Sequence, residues 1–512
     1  MSEFTPPPVT PLDVHNRALL GHVHPPDWRN PTPAERYDLV VIGAGTAGLV
    51  TAAGAAGLGA KVALVERHLM GGDCLNVGCV PSKALLRSAH AAAEVRRAAE
   101  FGVTLAGPLT VDFPAVMARL RQLRAGIAPH DGAKRFTDLG VDVFLGDARF
   151  AGDSYVEVAG VKLPYRRAVI ATGARAFVPA IPGLAAAQPL TNETVFNLTE
   201  LPRRLVVLGG GPIGCELAQA FCRLGAEVTL IHNKPHLLDR EDPEAAAVVQ
   251  RAFERAGIRL VLGATVERVE VVGGPKQLHV RTGDAPTVHA ADAILVATGR
   301  APNVTGLNLE AVGVAYDLRS GVQVDDFLRT THPHVYACGD VCSRWKFTHA
   351  ADFTARLVIQ NALFALGPLG RRRVSSLHMA WCTYTDPELA HTGLTAVEAA
   401  QAGIALDTYT QPFDRVDRAL TESDPEGFVR LHTRRGTGEI VGATIVGRGA
   451  GDLISEVSVA LAGKVGLGRL ASVIHPYPTR AEAIRKLGDQ FNKTRLTPRA
   501  AGFLKLLLAL KR

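Results

Sequence analysis

Tyr37-Asp38-Leu39-Val40-Val41-Ile42-Gly43-Ala44-Gly45-Thr46-Ala47-Gly48 is the stretch that decides the fold. Its first half is an apolar run that reads as a buried strand. Its second half has the spacing G-x-G-x-x-G. Gly43 makes a tight turn, Gly45 lets a pyrophosphate approach the backbone, and Gly48 lets helix and strand pack closely. The Ala-rich stretch through Gly59 reads as a helix. Its N-terminus offers free N–H groups and a positive dipole end to phosphates. Val62 to Val65 reads as the next strand, and Glu66 stands 23 positions beyond Gly43. There a carboxylate can bind ribose hydroxyls. The pattern predicts a dinucleotide site on Gly43, Gly45, Gly48 and Glu66.

The same grammar recurs. Arg204 to Leu208 reads as a strand, Gly209-Gly210-Gly211-Pro212-Ile213-Gly214 as a second turn, and Glu227 to Ile231 as a second following strand. Here the position of the acid holds His232, followed by Asn233 and Lys234. A carboxylate would favour a free 2′-hydroxyl and repel a 2′-phosphate. Its absence, with Lys234 nearby, favours NADPH over NADH. The expected site is Gly209, Gly211, Gly214, His232, Asn233 and Lys234. The alternative for His232 is a neutral surface residue. Each unit closes on a similar phrase, Ala171-Thr172-Gly173 in the first and Ala297-Thr298-Gly299-Arg300 in the second. The chain therefore contains an internal duplication. The first copy is longer, 129 positions from Gly43 to Thr172 against 89 from Gly209 to Thr298. The difference is an insertion that holds two cysteines.

Composition bounds the rest. With 512 residues, 47% hydrophobic and 21% charged, the chain is not disordered as a whole and is long enough for three or four domains. A net charge of +7 is a weak field over this length. The only dense basic run is Arg371-Arg372-Arg373, with no aromatic platform beside it, which argues against nucleic-acid binding. The prolines and early acid at the start do not read as a signal peptide. No apolar stretch approaches a membrane span. A cytoplasmic protein is expected. The apolar-basic segment 496–512 reads as a terminal helix packed on a dimer, or else as a peripheral membrane anchor.

Residues 1–36 read as a proline-rich extended arm. Residues 37–178 and 302–370 read as two parts of one nucleotide-binding domain, with 179–301 as the second. From 371 to 495 the period changes. Gly427 to Leu431 and Ile440 to Val446 alternate as antiparallel strands, with a helix over Leu453 to Ala462, so this is a separate α+β domain.

Gly71-Gly72-Asp73-Cys74-Leu75-Asn76-Val77-Gly78-Cys79-Val80-Pro81-Ser82-Lys83 lies in the insertion. Cysteines so spaced fit one helical turn and its entry, so the sulfurs can meet as a disulfide. Half of a zinc site and two buried thiols are the alternatives. Zinc needs two further nearby ligands, and no second Cys pair or His cluster has suitable spacing. Cys215, Cys222, Cys338, Cys342 and Cys382 read as structural.

G-G-x-C-x-N-V-G-C-V-P-S-K after such a turn resembles the flavoprotein disulfide reductases, the family of glutathione reductase, dihydrolipoamide dehydrogenase and mercuric reductase. The resemblance covers about residues 37 to 490. It implies an α/β fold: two Rossmann-like domains for FAD and NAD(P)H, and a C-terminal α+β dimerisation domain. It also implies a homodimer. Thr331 to Asp340 resembles the second flavin motif, with Gly339 and Asp340 at the FAD ribityl chain. Ala297 to Arg300 with Pro302-Asn303 resembles the return from the NADPH domain. The resemblance gives Cys79 the place over the flavin and Cys74 the interchange thiol. Lys83 and Glu216 match a pair near flavin N5, where a cation stabilises reduced flavin; a surface salt bridge is the alternative.

One departure bears on the substrate. Disulfide-reducing relatives carry H-P-T-x-x-E near the C-terminus, and the His moves protons between thiols. Here His475-Pro476-Tyr477-Pro478-Thr479-Arg480-Ala481-Glu482 puts Tyr477 in the His slot, with Glu482 retained. Thiol exchange needs a base near neutral pH, and tyrosine titrates near ~10. Reducing a thiolate-bound metal needs soft sulfur ligands instead. Mercuric reductases resemble this chain at that slot and in Phe347-Thr348-His349-Ala350-Ala351-Asp352. The expected activity is Hg(II) reduction with NADPH, with Cys74 and Cys79 as transient metal ligands. Typical mercuric reductases also end in a Cys-Cys pair, whereas no cysteine follows Cys382 here. The alternatives are reduction of a disulfide such as lipoamide, of a quinone or another small acceptor, and a flavin-binding redox sensor.

Overall fold

In the computed structural model, Tyr37–Ile42 lies in the parallel part of a seven-stranded sheet. It pairs with Val62–Glu66 on one side and Val161–Ile170 on the other. Asp142–Leu145 extends the first edge, and Val335–Ala337 joins Val161–Ile170 in parallel. The strand is apolar on both faces because both are covered. Leu39, Val41, Ala52 and Ala55 belong to one core, and Val40, Ile42, Phe150 and Tyr165 to the other.

The structure describes residues 8–271 and 273–511. They form two compact units. The first holds residues up to 209 with 220–231 and 265–377. Besides the sheet above it contains the second parallel set, in which Arg204–Leu208 pairs with Glu227–Ile231 and Ala293–Val296. The outgoing strand Ala174–Ala176 pairs antiparallel with the return strand Arg300–Pro302.

The second unit holds 210–219, 232–264 and 378 onward. Its sheet is antiparallel, in the order Ala380–Thr383, Glu388–Gly393, Ile440–Gly447, Phe428–Arg434, Leu406–Pro412. Helices Ala450–Ala462 and Glu482–Thr494 bury Ile454, Val457, Ile484 and Leu487 in the same core as Ile445 and Leu431. The α+β domain expected after residue 371 has this form.

One expectation fails. Residues 1–7 lie outside the described residues, but the rest of the proposed arm is not extended throughout. Val14–Val23 is a helix with Asp13 as N-cap. No proline occurs between Pro11 and Pro25, so that window can form a helix that average composition conceals. Leu19 and Val23 are fully buried. Asn16 Oδ1 accepts from Arg124 Nη2 at 2.5 Å, and Arg124 Nη1 donates to Asn76 O at 2.7 Å. Burial pulls the Arg124 guanidinium down to about 10. The N-terminal helix therefore braces the cysteine segment through a buried cation. Arg124→Met should remove both bonds. Hydrogen bonds from a charged group contribute ~1.5–3 kcal/mol each, so a loss of about 2–4 kcal/mol is expected, read as a lower denaturant midpoint.

Candidate active site

The two glycine turns are built alike. Gly43 has φ +100°, and Gly209 has φ +111°. Each donates its N–H at 2.8 Å to the following strand, Gly43 to Val65 O and Gly209 to Ile231 O. A Cβ on Gly43 would lie 2.5 Å from Ala171 O, and one on Gly209 2.4 Å from Ala297 O. Each turn therefore packs against the carbonyl that opens its own Ala-Thr-Gly phrase, which explains why the phrases recur. Thr172 Oγ1 donates to Asn303 O at 2.7 Å, and the Asn303 N–H donates to Gly173 O at 3.0 Å. In the second phrase Thr298 Oγ1 donates to Phe177 O at 2.9 Å, and Gly299 O accepts the Phe177 N–H.

Glu66 Oε2 accepts the Ala44 N–H at 2.7 Å, and Oε1 accepts from His68 at 2.8 Å. Burial pushes this carboxyl up. In the second unit His232 occupies the matching place. Its Nδ1 accepts the Gly210 N–H at 3.1 Å, and the residue is only 8% exposed. Burial lowers its pKa, so the neutral ring acts as the acceptor that Glu66 supplies in the first copy. It is neither a surface residue nor a free cation. Asn233 and Lys234 are exposed. Gly214 is buried in the helix Pro212–Leu224, and Gly211 has open space around it.

The cysteines lie on two successive helices rather than on one turn. Cys74 is in Gly72–Val77, and Cys79 opens Cys79–Arg97. Gly78 makes the break; a Cβ there would sit 2.7 Å from Asp73 O. Both thiols are free, Cys79 exposed and Cys74 half-buried. Cys79 Sγ is 3.1 Å from Thr348 Oγ1. Thr348 is the first residue of the helix Thr348–Ile359, so two helix N-termini meet at this sulfur, where thiolates are favoured. A hydrogen bond from the Cys74 thiol, then Thr348 and the charge of Lys83, hold Cys79 below its ordinary pKa despite opposing burial. The same sulfur contact, with burial, drives Cys74 upward. The pair is asymmetric, with ionisation favoured at Cys79 and disfavoured at Cys74.

A charge network joins this pair to the return strand. Arg300 Nη2 lies 3.0 Å from Asp73 Oδ2, and Nε 3.6 Å from Asp340 Oδ2. Asn192 Nδ2 donates to Asp73 Oδ1 at 3.0 Å. Gly339 donates its N–H to Thr354 Oγ1 at 3.2 Å. Arg300 Nε is buried without a hydrogen-bond acceptor among the described residues. Gly45 and Gly72 bring the first turn against the cysteine helix, with a Cβ on Gly72 2.5 Å from Gly45 Cα. The glycine turn at Gly43 and the close backbone approach of Gly45 and Gly72 form a cradle that fits the pyrophosphate of a dinucleotide. Sequence reading missed Asp73, Asn192 and Thr348. The only signal for Thr348 is its place opening the phrase Thr348-His349-Ala350-Ala351.

In the second unit Glu216 Oε1 accepts the Tyr384 N–H at 2.9 Å. Tyr477 is 71% exposed and donates to Asp417 Oδ2 at 2.7 Å, which pushes the phenol up. Glu482 instead lies 3.3 Å from Arg485 and 3.5 Å from Lys486. Tyr477 and Glu482 thus have separate partners. His475, two residues before the slot, has Nε2 2.9 Å from Glu456 Oε1 and Nδ1 3.0 Å from Val473 O. Among the described residues no group of three or more His, Cys, Asp or Glu could hold a metal ion. No described helix is long and apolar enough to cross a membrane.

Paired glycine turns and an asymmetric dithiol define a nucleotide-dependent dithiol oxidoreductase fold. Residues 37–355 match the family described as pyridine nucleotide-disulphide oxidoreductase, and residues 379–487 match that family's dimerisation domain. The mercuric reductase of Bacillus cereus is 36% identical over 460 residues, covering 89% of this chain and 72% of that one. The dihydrolipoyl dehydrogenase of Chlamydia muridarum is 33% identical over 458 residues, covering 88% and 95%. Among solved structures, the HOCl-induced flavoprotein disulfide reductase RclA from Escherichia coli aligns with a TM-score of 0.78 at 28% identity, covering 88% of this chain and 99% of that one. The chain belongs to the pyridine nucleotide–disulphide oxidoreductase family. Its fold is that of a flavoprotein disulfide reductase, and the family implies FAD and NAD(P)H as cofactors.

Proposed function

We propose that the chain is a homodimeric, NADPH-dependent reductase of thiolate-bound metal ions, with Hg(II) as its substrate. The supporting observation is the asymmetric dithiol: Cys79 is kept anionic by Cys74, Thr348 and Lys83, while the slot for a proton-moving His holds Tyr477, whose phenol is pushed further up. Such a site supplies soft sulfur ligands, and the slot itself holds a phenol in place of an imidazole base. Its domains are 37–178 and 302–370 for FAD, 179–301 for NADPH and 371–495 for the dimer.

Gly43, Gly45, Gly48, Glu66, Thr172, Gly173, Gly339 and Asp340 would hold FAD. Bound FAD would pass the electron pair of the nicotinamide to the disulfide. Cys74 and Cys79 would then hold Hg(II), with Tyr477 and Glu482 of the partner subunit beside them, and Lys83 and Glu216 near the flavin. The balance is NADPH and Hg(II) to NADP+, a proton and Hg(0). NADPH oxidation should be followed with Hg(II) in excess thiol, lipoamide, glutathione disulfide and a quinone. Turnover with Hg(II) about a hundredfold above the others supports the reading. Rapid lipoamide turnover overturns it.

Gly209, Gly211 and Gly214 would carry NADPH, and Gly299 and Arg300, on the returning segment, would be further cofactor-binding residues. Because the His232 ring is engaged inward, the 2′-phosphate falls to Asn233 and Lys234. Lys234→Ala should raise KM for NADPH about tenfold, the scale of one charge-assisted contact, and leave KM for NADH nearly unchanged. Equal effects on both nucleotides would remove Lys234 from phosphate recognition.

A further inference from the structure

The helix Pro498–Leu510 contributes none of the site residues described above. Thr497 caps it by accepting the Ala500 N–H at 3.2 Å. No residue of this helix is buried, and residues 502–511 are all exposed. Phe503 is 61% exposed and Leu510 75%. At about 100° per residue, Phe503, Leu506, Leu507 and Leu510 form one stripe. Leu504 and Leu508 widen the apolar arc to about 200°, with Lys505 opposite. From Gln490 onward the sequence has six Lys or Arg and no Asp or Glu.

We propose that this helix lies in the surface of an anionic lipid bilayer. A groove on a protein covers a stripe of about 100° or somewhat more, short of the full arc that Leu504 and Leu508 complete. A bilayer surface covers the wider arc. Thirteen residues are too few to span its ~30 Å core, so the helix lies in the plane. Lys505 lies midway on the side away from the arc, and Arg499 and Lys511 stand at the two ends on its own side. Their long stems reach from the apolar level to the headgroups, and an acid-free basic segment complements anionic phosphates.

The test uses the full-length FAD-loaded protein and sucrose-loaded vesicles. Phosphatidylcholine–phosphatidylglycerol vesicles should bind it about tenfold more tightly than phosphatidylcholine alone, and raising salt to about 0.5 M should remove most of that preference. Phe503→Ser with Leu507→Ser, and separately deletion of 498–512, should each abolish pelleting and leave NADPH oxidation by a dissolved acceptor unchanged. Three results would overturn the proposal: equal pelleting by full-length and deleted protein, equal binding to both vesicle types, or no vesicle binding with a smaller assembly after deletion. The last would place the helix on a second copy of the chain.

Discussion

Cys79→Ser is expected to lower NADPH-driven reduction of the acceptor at least about a thousandfold, a barrier increase of about 4 kcal/mol, while FAD content stays unchanged. The serine hydroxyl is not ionised near neutral pH and is a poor ligand for a soft metal, so both the electron relay and the metal site are lost together. In the wild-type protein, reduction by NADPH in the absence of oxygen should produce a long-wavelength thiolate-to-flavin band, and Cys79→Ser should lack it. Cys74→Ser should keep it, because a hydroxyl can still donate to the Cys79 sulfur as the Cys74 thiol does. Turnover should nevertheless be lost, since the second sulfur is gone. Cys74→Ala removes the donor as well. The pH at which the band disappears should then move upward, towards the ordinary thiol value of ~8.5. The sign follows from the cause: Cys79 is depressed chiefly by Cys74, so its anion survives below the normal thiol range and is protonated only on further acidification. A band that persists in Cys79→Ser would transfer the anion to another sulfur and end the present assignment.

The parts of the molecule legible in the sequence are those fixed by local steric and hydrogen-bonding rules. Gly43 and Gly209 announce their turns because a left-handed φ and a carbonyl 2.5 and 2.4 Å from any Cβ leave glycine as the fitting residue. The strands on either side announce themselves through continuous apolar runs. The helix Val14–Val23 was hidden because proline content was averaged over a segment whose prolines all lie outside it. Its polar anchor, Arg124, lies more than a hundred residues away, and no local period encodes that contact. His232 was legible as the absence of an acid but not as its replacement. Only the structure turns its ring towards the Gly210 amide. The same holds for Asp73 and Thr348. Their neighbours Arg300 and Cys79 are distant in sequence, and nothing in either residue's own segment points to them.

Arg300→Met tests whether the return strand and the dithiol are one electrostatic unit. The guanidinium is 11% exposed at its side chain and serves two carboxylates, Asp73 and Asp340. Burial already pushes both carboxyls up, and Arg300 is the main group holding them down. Breaking a buried pair from one side costs ~3–5 kcal/mol, but the Asp73 side chain keeps 37% of its surface, so solvent screening brings the expected loss to about 2–3 kcal/mol. The pH dependence has a definite sign. An acid whose folded pKa is raised binds more protons when folded, so it detracts from stability as pH rises. Arg300→Met raises both acids further. Its stability deficit should therefore be largest near neutrality and shrink on acidification, as Asp73 and Asp340 become protonated. The dithiol should respond too, since the Asp73 charge opposes the Cys79 anion. With Arg300 gone, the pH at which the thiolate band disappears should rise. Asp73→Asn in the same chain removes that repulsion and should restore most of the shift, giving a positive coupling in a double-mutant cycle. Additive effects of the two changes would mean that Arg300 supports the strand pairing alone. A deficit that grows in acid would mean that the carboxylates are not its partners.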